Sequence, residues 1–145
     1  LLFKAHDFLA KINPKSLSPN QLPTDISSLE TIGLSKVNQK QYDDAIAIFQ
    51  QILTISPKHP ASHRYLAEIF TEKNQYNEAI SHLNYLTLIF PDDYRVYYNL
   101  AVICYEMNDN KRAISNLNEA FKLCTDDDQF LATIQSLITL IETQP

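Results

Sequence analysis

The residues best suited to chemistry are a few histidines, two cysteines and a short acidic run. His59 and His63 lie four apart, a spacing that on one helix would put both on the same face, as metal ligands require. Pro60 stands between them and marks a helix start, so His59 falls outside the helix that carries His63. No third ligand follows at zinc spacing. His82 precedes the apolar Leu83, and His6 sits near the start of the chain; both read as partly exposed surface residues. Asp126, Asp127 and Asp128 read as the acidic first turn of a helix behind a Thr125 N-cap, in preference to a metal site. Cys104 and Cys124 form no CxxC pair. Free thiols fit a reducing compartment and hence a cytoplasmic location, with a disulfide between them as the alternative. Cys104 occupies a packing position, where a thiol is buried and inert. No serine or cysteine has a histidine at a recognisable catalytic spacing, and one glycine cannot build a phosphate-cradling loop. The expectation is a protein that is not an enzyme and has neither metal nor cofactor.

Composition narrows the partners. The chain has 145 residues and a formal charge of −5, with 12 Lys and Arg against 17 Asp and Glu. The basic residues are few and scattered, which argues against binding nucleic acid or an anionic membrane surface. No apolar run approaches the roughly 20 residues that cross a bilayer. The chain opens on Leu1 without a signal-peptide pattern, as expected of a piece of a longer protein. A single glycine also disfavours turn-rich β-sandwiches and barrels.

The elements follow from a repeat. Gly33, Ala67 and Ala101 recur at intervals of 34, and Ala45, Ala79 and Ala113 follow each by 12. Segments 26–59, 60–93 and 94–127 align on this count. In each, apolar residues step by three and four, first through Leu29, Leu66 and Leu100, then through Phe49, Leu83 and Leu117. That is the pattern of two amphipathic helices of roughly 14 residues. The small residues let the paired helices approach closely. Pro57 and Pro91 end the second helices. Asn74 and Asn108 stand at the inner turns, where a left-handed residue is wanted.

These segments resemble the tetratricopeptide repeat family, whose 34-residue pattern has Leu-Gly early and Ala, Phe and Pro later. Ile32-Gly33, Ala45, Phe49 and Pro57 carry the resemblance in the first unit. Leu66-Ala67, Phe70, Ala79 and Pro91 carry it in the second, and Leu100-Ala101, Ala113 and Leu117 in the third. Lys36 and Cys104 replace the expected aromatic, and Thr125 the expected proline. The resemblance implies an all-α, right-handed superhelical array of helix-turn-helix hairpins. Residues 126–145 should form a C-terminal capping helix. Residues 1–12 should form an N-terminal helix, either half a repeat or a cap, and residues 13–23 a Pro/Ser linker, with the three units spanning 24–125.

In the family the first helices line a concave face that binds peptides. The resemblance places Glu30 and Leu34, then Arg64, Tyr65, Glu68 and Glu72, then Arg95, Tyr98, Asn99, Val102 and Tyr105 on that face. Tyr65, Tyr98 and Tyr105 are expected to form an aromatic strip flanked by Arg64, Arg95 and Asn99. Family members that grip acidic chaperone tails use a clamp of Lys, Arg and Asn. The corresponding positions here are Glu30, Leu34, Tyr65, Arg95 and Asn99, of which only Arg95 carries the required charge; chaperone-tail binding is therefore not expected. The leading expectation is a non-catalytic interaction module taking a peptide or helix of a partner protein. The alternatives are a regulatory or targeting domain of a larger enzyme, such as a transferase, and a self-assembly element forming a homodimer through residues 1–12.

Overall fold

A computed structural model describes residues 24–144; the N-terminal helix and linker expected over residues 1–23 lie outside the described residues. Seven helices and no strand make up the described part. They are α1 (Ile26–Asn38), α2 (Tyr42–Ile55), α3 (Pro60–Glu72), α4 (Tyr76–Ile89), α5 (Tyr94–Glu106), α6 (Asn110–Leu123) and α7 (Asp128–Glu142). The helices α1, α3, α5 and α7 begin at 34-residue intervals, and so do α2, α4 and α6. The array is three hairpins followed by a helix that holds the phase of a fourth.

Each hairpin turns in the same way. Lys40, Asn74 and Asn108 take φ of 57°, 57° and 60°. The left-handed residue lets the next amide reach back five residues. Gln41 N–H donates to Lys36 O at 2.9 Å, Gln75 N–H to Phe70 O at 2.8 Å and Asp109 N–H to Cys104 O at 2.8 Å. These bonds satisfy carbonyls that a helix end would otherwise leave open.

Starts are capped individually. Asp25 accepts from the Ser28 amide at 2.8 Å, Asp109 from Arg112 at 3.0 Å and Asp127 from Phe130 at 2.9 Å. The last of these corrects an expectation: α7 is capped by Asp127, not Thr125, and only Asp128 of the acidic run lies in its first turn. Cys124, buried at 3% exposure, ends α6, and the connecting residues Thr125 to Asp127 are exposed. The carboxylate two residues beyond Thr125 is the group that meets the free α7 amides.

The small residues sit where the hairpin helices touch. Gly33, Ala67 and Ala101 on the first helices are buried, as are Ala45, Ala79 and Ala113 on the second. The residue opposite varies with them. Gly33 faces Phe49, while the corresponding positions pair Ala67 with Leu83 and Ala101 with Leu117. A Cβ on Gly33 would lie 2.8 Å from Phe49 Cζ, so the larger ring fits only against glycine. Volume is conserved across the seam. One core runs from Leu29 to Ile103 and a second joins α5 and α6 to Ile134, Ile138 and Ile141 of α7.

Candidate protein-interaction groove

The changing seams decide where the first-helix face is open. In the first unit, Phe49 is fully buried and stacks on Tyr65, with ring centroids 5.1 Å apart. The two rings fill the space between α1 and α3. One repeat later Leu83 replaces Phe49 and Asn99 replaces Tyr65. A cleft of about 340 Å³ opens there between α3 and α5. Ala67, Leu83, Val102 and Ile103 form its apolar floor, and Arg64, Glu68, Glu72 and Asn99 its polar rim.

A second cleft of about 130 Å³ lies between α5 and α7, over Ala101 and Leu117. Tyr98, Tyr105, Leu137 and Leu140 wall it. Val102 belongs to both clefts and is 37% exposed, so the two adjoin. Leu140, also exposed, gives this cleft an apolar rim.

The sequence-predicted residues divide accordingly. Glu68, Asn99, Val102 and Arg64 line the first cleft, and Tyr98, Val102 and Tyr105 the second. The three tyrosines are held separately. Tyr65 is committed to Phe49, Tyr98 packs edge-on to Phe130 at 5.0 Å, and the Tyr105 hydroxyl accepts from Gln144 Nε2 at 2.9 Å. Leu34 is half-buried on α1, and the Glu30 carboxylate lies 4.0 Å from His59 Nε2. From the sequence, α7 has a capping role with Leu137 in its apolar stripe; that Leu137 and Leu140 line a cleft is seen only in the structure. The signal was its phase: Leu140 falls two repeats, 68 residues, after Glu72.

The two arginines converge on one carboxylate. Arg95 Nε and Nη2 donate to Asp93 at 2.9 and 3.2 Å, and Arg64 lies 3.6 Å from the same group. Burial opposes ionisation of Asp93, but the hydrogen bonds from Arg95 and the charges of Arg95 and Arg64 outweigh it and hold the carboxyl below its ordinary range. Asp93 also caps α5 through the Arg95 amide at 3.1 Å.

His59 lies outside the helix that carries His63, as Pro60 leads one to expect, and His63 is buried. Its Nε2 donates to Pro57 O at 2.9 Å, and its ring stacks on Tyr85 at 4.2 Å. His82 is partly exposed, as expected, and its ring packs against Phe70 and His63. His59 serves as the N-cap of α3. Both cysteines are free and buried, and burial pushes the Cys104 thiol up, away from the reactive thiolate, although the charge of Arg112 works against it. Among the described residues no helix is long and apolar enough to cross a membrane.

A family model described as tetratricopeptide repeat matches residues 37–93 and 70–136. No curated protein matches the sequence significantly. Among solved structures, the chain resembles the type III secretion translocator chaperone SycD of Yersinia enterocolitica. The identity is 18% over 90% of this chain and 89% of that one, with a TM-score of 0.72. PcrH in complex with the chaperone binding region of PopD is similar at 18% identity, over 88% and 95% of the two chains, with a TM-score of 0.70. MamA is similar at 20% identity, over 79% of this chain and 61% of that one, with a TM-score of 0.69.

Proposed function

The chain belongs to the tetratricopeptide repeat family, and from that premise we propose that its first-helix face is a non-catalytic docking groove for a segment of a partner protein. The observation that carries this is the pair of adjoining clefts running across α3, α5 and α7 and sharing Val102. Their floors are apolar and their rims polar, the composition that lets an extended segment bury side chains while its backbone finds hydrogen-bonding groups. Asn99 on the rim offers both a donor and an acceptor to such a backbone. PcrH, of similar fold, is itself in complex with the chaperone binding region of PopD, which supports a peptide-sized occupant. The residues we assign to the groove are Arg64, Glu68, Asn99, Val102, Tyr98 and Tyr105, with Leu137 and Leu140 added from α7. Tyr65 acts instead by closing the first seam. Domain boundaries follow the same reading: three units over 24–125 and an α7 cap that also lines the groove.

The test is selection of binding peptides from a random display library, followed by amide chemical-shift mapping on the labelled chain. Shifts should cluster at Glu68, Asn99, Val102 and Leu140. Val102→Arg, at a position open enough to accept the longer side chain, should abolish binding while leaving the helical circular dichroism unchanged. Peptides that map to the second helices, or that bind Val102→Arg normally, would overturn the assignment.

A further inference from the structure

The charges around the two clefts are unequal in a way that specifies the occupant. Arg64, the arginine of the groove, and Arg95 beside it are already engaged with Asp93, at 3.6 and 2.9 Å. The carboxylates on the rim are not. Among the described residues no Lys, Arg or His lies within 4.0 Å of Glu68 or Glu72, and Lys73, next to Glu72 in the chain, is paired with Asp43. Glu68 and Glu72 are one turn apart on the same face of α3, and both border the first cleft. Two exposed like charges one turn apart repel, and a cation laid between them relieves that repulsion while gaining two ion pairs. Next to this acidic edge, across Val102, lies the apolar cleft of α5 and α7, with room for one large side chain between Tyr98, Tyr105, Leu137 and Leu140.

We infer that the groove selects a partner segment in which Lys or Arg residues flank one large apolar side chain. The apolar side chain seats between α5 and α7, and the cations lie over Glu68 and Glu72. This rests on the groove reading above and adds to it the chemistry of the occupant. It is the reverse of an acidic-tail clamp, in which the groove supplies the cations.

The same library selection tests it separately from the groove itself. Peptides that map to the groove should be enriched in Lys and Arg around a Leu, Ile, Phe or Met, and synthetic copies should bind more weakly as salt rises. The charge-reversed Glu68→Lys/Glu72→Lys protein should bind them about three- to tenfold more weakly, and the milder Glu68→Gln/Glu72→Gln protein should do so by a smaller factor. Both residues are exposed, so both variants should keep the wild-type melting temperature within about 2 °C. Leu140→Asp should weaken binding of the same peptides. Groove-bound peptides that are acidic or neutral, or whose affinity ignores Glu68→Lys/Glu72→Lys, would overturn the inference and leave the groove standing. Peptides that bind elsewhere would remove both.

Discussion

His63 and His82 meet Nδ1 to Nδ1 at 3.0 Å, across the seam between α3 and α4. The carbonyl of Pro57 can only accept, so His63 Nε2 carries a proton and its Nδ1, in the neutral ring, is a lone pair. His82 Nδ1–H is therefore the donor. The pair has room for this single proton between the rings. Burial, and then the repulsion between the two rings if both were protonated, lower the His82 pKa from its ordinary 6.5.

Stability should consequently depend on pH. The unfolded chain takes up a proton at His82 that the folded protein resists. Stability is then complete above about pH 6.5, falls as pH drops below it, and levels off once His82 is also protonated in the folded state. Urea midpoints measured across this window should fall with acidification. His82→Gln can still donate to His63 and should flatten the profile; an unchanged slope would place the titration on another group.

Gly33→Ala should destabilise the first hairpin despite the better helix propensity of alanine. The new Cβ would press on Phe49, and that ring is pinned between the seam and Tyr65. Overpacking costs about 1–3 kcal/mol and the propensity gain offsets about 1 kcal/mol. The same substitution should cost less in a Phe49→Leu background, which reproduces the pairing of the other two units. Equal costs in both backgrounds, in a double-mutant cycle, would mean that the seam is not volume-limited.

Lys40→Gly should stabilise the protein. Lys40 is the residue that takes φ 57° in the first turn, and its side chain is exposed. A non-glycine residue in the left-handed region is strained by about 1–2 kcal/mol, and the extra freedom of glycine in the unfolded chain takes back part of this. A gain of about 0.5–1 kcal/mol is expected by thermal unfolding. A loss would show that the Lys40 side chain contributes to the turn.

Arg95→Ala should change stability by no more than about 0.5 kcal/mol. The side chain is 70% exposed and pairs with Asp93, two residues away, which retains Arg64 and the α5 cap. A melting temperature several degrees lower would show that Arg95 holds Asp93 in place.

The array was legible in the sequence because its evidence is repeated: six small residues at fixed intervals define every hairpin. The turns were legible where Asn marks them. Lys40 carries no such mark, and only the count of 34 from Asn74 identifies it. The cap of α7 was ambiguous because Thr125, Asp126 and Asp127 can all accept from free amides, and the choice depends on where buried Cys124 leaves the chain. The groove was legible as a face but not as clefts. Which seam is open depends on Phe49 meeting Tyr65 while Leu83 meets Asn99, a pairing across helices that one-dimensional spacing does not reveal. The contact of His82 was not legible for a similar reason: its partner, His63, is 19 residues away.

The residue of α7 in phase with Gly33, Ala67 and Ala101 is Gln135, which is exposed. A glutamine there is larger than the glycine or alanine at this position of the three units, so α7 repeats their phase without repeating their close-packing surface. Elsewhere on α7, Leu137 and Leu140 line the cleft shared with α5. The helix thus has two working faces, one closing the second core with Ile134, Ile138 and Ile141 and one walling an open cleft, so a shift of this single helix alters packing and cleft together.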